Sequence, residues 1–107
     1  QVNVDDEASK SGCAVAEVET LAELICTHPK LLLRGLMAIP DPNLIDHGQA
    51  FATMQKIFQA LQARFASVDT LSMGMSDDFP SAIAHGANLV RIGSALFGAR
   101  QKNKEGP

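Results

Sequence analysis

The chain has 107 residues, 46% of them apolar and 20% charged, with a formal net charge of −3, which is ordinary composition for one small globular domain. The negative charge and the lack of Trp and Tyr predict no nucleic-acid partner, since a phosphate backbone calls for a basic face and bases for aromatic platforms. No apolar run is long enough to span a bilayer and no basic stretch leads into an apolar one near Gln1, so the expectation is no membrane partner, no signal peptide and a cytoplasmic location.

Residues 1–4, QVNV, read as a short strand, and 5–12, DDEASKSG, as a polar loop. Across 14–27, Ala14, Val18, Leu21 and Ile25 recur at helical steps with Glu17, Glu19 and Glu23 between them; Pro29 lies just beyond the end. Cys13 and Cys26, assigned to this helix, have no C-x-x-C spacing and read as small core hydrophobes. The apolar run LLLRGLMAI (31–39) predicts a buried parallel strand, followed by a PDPN loop at 40–43. Phe51, Met54, Phe58, Leu61 and Phe65 form one stripe of the longest helix, expected over 46–66. VDTLSM (68–73) predicts a strand, Ser76–His85 a short helix closed by Gly86, and NLVRIG (88–93) another strand. The polar residues after Gly98 are expected to fray.

Strands alternating with helices predict an α/β fold with a parallel sheet and right-handed crossovers. About four βα units amount to half of a (β/α)8 TIM barrel, and a small open α/β sheet is the alternative. His28, His47 and His85 fall at a helix end, in a loop and at a helix C-terminus, with no triad expected. Asp5-Asp6-Glu7 and Asp77-Asp78 read as solvated loop charge and helix-start charge rather than a metal site.

The last two strands carry the chemistry. Strand alternation puts Leu89, Arg91 and Gly93 on one face and Val90 and Ile92 on the other, which aims Arg91 at a barrel lumen or an open sheet face. A buried arginine stays charged and needs a partner; a ligand and an internal carboxylate satisfy that equally. Ser76 is a candidate helix N-cap. Together with Gly74 and Met75 it also forms a small-residue turn whose backbone N–H groups suit an anion, and Gly93-Ser94 repeats the arrangement at the next strand end. Barrels commonly build phosphate sites from the loops after their last two strands.

The segment LSMGMSDDFPSAIAHGANLVRIGSALFGAR resembles the signature end of the pyridoxal phosphate homeostasis protein family, itself related to the barrel domain of alanine racemase. LRGLMAIP (33–40) and QVNVDDEASKSG (1–12) resemble further family segments in the family's order, so the resemblance covers nearly the whole chain. It implies the C-terminal half of a TIM barrel that binds pyridoxal 5′-phosphate (PLP) over residues 1–100, with a polar, disordered tail at 101–107. Residue by residue, it implies that Ser76, Gly93 and Ser94 bind the cofactor phosphate, that Arg91 faces the pyridine nitrogen, and that Met75 and Asn3 are near neighbours. The implied role is a carrier or buffer of PLP, not an enzyme. An amino-acid racemase-like fragment and a barrel half for another phosphorylated ligand are the alternatives. Lys10, Lys30, Lys56, Lys102 and Lys104 do not match the family's covalent lysine, which implies a phosphate cup without the covalent anchor. The expected partners are PLP and either the N-terminal barrel half or a second copy, because a half barrel leaves two sheet edges and an apolar inner face uncovered.

Overall fold

The computed structural model describes residues 1–8 and 11–93. Among them the order is β1 (Val2–Asn3), β2 (Cys13–Ala14), a 3-10 turn (Val15–Glu17), α1 (Val18–Cys26), β3 (Gly35–Met37), α2 (Gly48–Arg64), β4 (Thr70–Met75), α3 (Phe79–Ala84) and β5 (Leu89–Arg91). β3, β4 and β5 pair in chain order, all parallel, with α2 and α3 as the crossovers. The chain is therefore α/β with parallel strands.

The expected stripe of α2 organises the core. Phe51, Met54 and Leu61 are fully buried and Phe58 nearly so. They pack in one cluster with Leu36 of β3 and with Leu71 and Met73 of β4. Leu36 and Leu71 are ladder partners, and parallel partners share a face of the sheet, so α2 covers that face. The start of the ladder is held by Arg34, whose carbonyl accepts the N–H groups of both Asp69 and Thr70, and whose guanidinium donates to both Asp69 carboxylate oxygens at 3.0 and 2.8 Å. Glycine is obligatory at 35, because a Cβ there would stand 1.7 Å from the Thr70 carbonyl oxygen.

Several elements differ from expectation. β1 does not join the larger sheet; it forms a parallel pair with β2, Val2 opposite Cys13, where a loop-to-helix passage was expected. Val2 is still in the core with Leu36, so packing rather than a ladder ties β1 to β3. Cys13 is thus a strand residue, and Cys26, on α1, is exposed. α1 begins at Val18, because its first turn is 3-10 and Glu17 turns back to accept the Ala14 N–H. Its buried face is Val18 and Ala22, while Leu21 is 40% exposed, so the four-residue step won over the three. Leu31 and Leu32 precede β3 and remain 55% and 69% exposed. α3 begins at Phe79 with Pro80 in its first turn, three residues later than expected. β5 ends at Arg91, before Ile92 and Gly93. The expected frayed tail lies outside the described residues.

Candidate functional site

The C-terminal ends of β4 and β5 bring Met75, Ser76 and Arg91 together. Ser72 pairs with Leu89 and Met75 with Arg91, three residues along β4 against two along β5. One extra residue is therefore accommodated in β4, a bulge marked by Gly74 at φ +104°. Gly74 turns the place of its missing side chain toward α3, where a Cβ would meet Ala82 Cβ at 2.7 Å and Val90 Cγ1 at 3.3 Å. Met75 thereby returns to the face of Ser72, beside Arg91 and away from α2. The expected split of Arg91 and Val90 onto opposite faces is what the ladder has.

Arg91 is half-buried, and its Nε and Nη2 are wholly buried with no hydrogen-bond partner among the described residues. Such a group calls for an acceptor that the described protein atoms do not supply. No carboxylate pairs with Arg91 there, so the internal ion pair is not what the described residues provide.

Ser76 sits in a tight turn rather than at the cap of α3. The Met75 N–H donates to Asp78 Oδ1 at 2.8 Å, and the Asp78 N–H donates to the Met75 carbonyl at 3.2 Å. Asp78 holds the cap position, two residues beyond the expected one, and Ser76 and Asp77 form the middle of the turn. Among the described residues Gly93 has open space around it: a Cβ there would meet none of their atoms within 4 Å. Asn3 has a local task, since its side-chain amide donates to the Glu7 carbonyl at 2.8 Å and its oxygen accepts the Glu7 N–H at 2.9 Å, closing the loop after β1. Ser94 lies outside the described residues, as do Lys10, Lys102 and Lys104. Lys30 lies ahead of β3 and Lys56 is exposed on α2, neither at the C-terminal strand ends.

Behind the turn stands a histidine cluster that the sequence reading did not pick out. His47, just ahead of α2, places Nδ1 2.6 Å from Asp78 Oδ2 and Nε2 2.9 Å from the Asp41 carbonyl. Both neighbours are acceptors, so both ring nitrogens donate in the form that satisfies them, the imidazolium. Burial lowers the affinity of the ring for its proton. The bonds to Asp78 and Asp41 and the charges of Asp78 and Asp5 outweigh that, and the net pKa is raised above 6.5. Asp5 in turn accepts the Asp41 N–H at 2.6 Å, so the loops after β1, β3 and β4 are joined through one ring. His47 and Asp78 are 31 positions apart, a separation with no local periodicity to betray it. A cavity of about 570 Å³ lies beside the cluster, lined by Ala38, Pro40, Ile45, His47, Met75 and Asp78 among others. It touches the candidate cup at Met75 and does not include Arg91. Among the described residues no cluster of metal-ligating side chains is present, and no helix is long and apolar enough to cross a membrane.

A family model described as alanine racemase, N-terminal domain, matches residues 1–101. The chain belongs to that family. Within it, the chain is similar to the pyridoxal phosphate homeostasis protein of Pseudomonas aeruginosa, 54% identical over 102 residues that cover 94% of this chain and 43% of that protein. It is likewise similar to the protein of the same name from Escherichia coli, 47% identical over 107 residues covering 98% of this chain and 46% of that one. The chain thus spans somewhat under half the length of these curated relatives. Among solved structures, PipY of Synechococcus elongatus with PLP bound superposes with a TM-score of 0.74 at 31% identity, covering 84% of this chain and 44% of that one. An unknown protein from Bifidobacterium adolescentis superposes with a TM-score of 0.80 at 35% identity, covering 90% and 40%.

Proposed function

We propose that this chain supplies the phosphate end and the ring-nitrogen contact of a PLP site, in a protein that carries or buffers the cofactor rather than catalysing with it. The observation that carries the proposal is the pair of buried nitrogens of Arg91 at the end of β5, beside Met75, which have no partner among the described residues. A guanidinium offers donors and no acceptor. A pyridine nitrogen is an acceptor of the kind those nitrogens lack, and the open space at Gly93 leaves room for backbone to approach a phosphate. Ser76, Gly93 and Ser94 would hold the phosphate, with Met75 and Asn3 nearby. The cofactor's chemistry is that of an electron sink, strongest when its ring nitrogen is protonated. A permanently charged arginine opposite that nitrogen keeps it unprotonated, which favours holding the cofactor over carbanion chemistry.

The barrel half belongs to the same proposal. The in-order parallel β3-β4-β5 sheet with helical crossovers supports it, and so does the apolar surface left bare, with Leu31, Leu32 and Leu89 all more than half exposed. The rest of the barrel, or a second copy, would close that surface, and the rest of the barrel would bring the covalent lysine.

The test is a titration of PLP, pyridoxal and inorganic phosphate against the intact protein, as wild type and as the Arg91→Ala, Ser76→Ala double variant. Wild type should prefer PLP to pyridoxal, and the double variant should lose that preference. Equal phosphate binding by both forms would remove the cup from these residues.

A further inference from the structure

The His47 cluster is used by nothing above, and its geometry gives it a task. We propose that His47 is a positioning residue for the phosphate-binding turn, acting through Asp78 on the Met75–Asp78 backbone; the ligand part of this rests on the PLP reading.

One carboxylate serves two masters. Asp78 Oδ1 accepts the Met75 N–H at 2.8 Å, while Oδ2 receives His47 Nδ1 at 2.6 Å. A carboxylate with one oxygen on a charged donor has a fixed plane, and here that plane sets where the Met75 amide can sit. The ring itself is held from the other side by the Asp41 carbonyl, and by the edge of Phe51, whose centroid is 6.0 Å away at 82°. Phe51 is fully buried, so the ring rests on the core face of α2 as well as on the loop after β3. His47 is only 15% exposed at its side chain and Asp78 17%, so water competes weakly for the bond. A positioning group built this way transmits the rigidity of the core to Ser76, which the turn carries at its middle.

The arrangement depends on the ring holding both protons. Among the described residues the ionisable groups nearest it are acidic: Asp78 before α3, Asp41 in the loop after β3 and Asp5 in the loop after β1, with Asp46 and Asp77 lining the same cavity. The exception in the vicinity is His85, on the far side of the Phe51 ring at a centroid distance of 6.3 Å. When the imidazolium loses a proton, one of its two bonds must go, and the turn loosens. Phosphate holding therefore weakens as pH rises through the titration of His47.

Two measurements on the intact protein decide this. In the first, without ligand, the hydrogen-exchange protection of the Met75 amide is compared between wild type and His47→Gln, with the fully buried Leu71, near the start of β4, as the reference for global opening. Protection at Met75 relative to Leu71 should drop about tenfold in the variant, the weight of one charge-assisted hydrogen bond. An unchanged ratio overturns the positioning role. In the second, the ratio of pyridoxal to PLP dissociation constants is followed from pH 6 to 8.5 in both proteins. Dividing wild type by variant cancels the ionisation of the ligand phosphate itself. The quotient should exceed one at pH 6 and fall toward one as the pH rises. A quotient of one throughout, with Met75 exchange altered, would overturn the coupling to phosphate. A wild type that never prefers PLP to pyridoxal would instead overturn the PLP reading, with the Met75 exchange still deciding the positioning.

Discussion

Replacing Gly74 with alanine should destabilise the protein by about 2–5 kcal/mol, from two separable sources. The first is backbone: at φ +104° an L side chain is strained, at a cost of about 1–2 kcal/mol. The second is packing: the new methyl would lie 2.7 Å from Ala82 Cβ, 3.2 Å from Phe79 Cα and 3.3 Å from Val90 Cγ1. Ala82 is fully buried, so it cannot swing aside, and overfilling such a seam costs about 1–3 kcal/mol. Urea unfolding of wild type, Gly74→Ala, Ala82→Gly and the double variant separates the two. Ala82→Gly alone should cost about 1–2 kcal/mol, the difference in helix propensity plus one buried methyl. On the Gly74→Ala background the same change should cost less or turn favourable, because it removes the 2.7 Å contact. Two results would refute the reasoning: a Gly74→Ala protein within about 0.5 kcal/mol of wild type, or strict additivity in the double variant.

Arg91→Met should leave stability unchanged or raise it by about 1 kcal/mol, since it removes two buried nitrogens without partners, while PLP affinity falls; thermal unfolding and a ligand titration read the two effects. The folded-state pKa of His47 is raised above 6.5, so its stabilisation is complete below that value and is lost as pH climbs through the folded one. The urea midpoint should accordingly decline as pH rises past 6.5, and His47→Gln should flatten that decline. Leu61→Ala, at a fully buried position of α2, should cost about 2–5 kcal/mol in equilibrium unfolding. Asn88→Ala should cost about 1–3 kcal/mol and speed exchange at Leu71, whose N–H donates to Asn88 Oδ1 at 2.8 Å.

What could be read from the chain was whatever repeats with a period. The α2 stripe from Phe51 to Leu61 came through because a 17-residue helix shows its buried face several times over. The opposed faces of Val90 and Arg91 came through for the same reason, at period two. A strand at 1–4 was expected and β1 is there, but β2 was not: it has two residues, too few to alternate, and its pairing with β1 depends on a loop folding back. The start of α3 was misplaced because Ser76 has the chemistry of a cap, but Asp78 has it too and binds the Met75 amide. His47 was read only as a loop histidine without partners. Its meaning comes from Asp78, Asp41 and Phe51, and only the fold brings Asp78 within 2.6 Å of it.

The extra residue in β4 has a consequence for anyone who would move this site elsewhere. Side-chain direction along a strand is a parity, and Gly74 changes it once, between Ser72 and Met75. A host strand that copied Ser72 to Met75 with regular alternation and no bulge would present Met75 to its helices and hide the turn from Arg91. Straightening the bulge with all its residues kept would do the same to this protein without touching a single proposed contact. The portable unit is therefore not a motif of ligand-binding residues; it is those residues together with an odd step that carries no chemistry of its own.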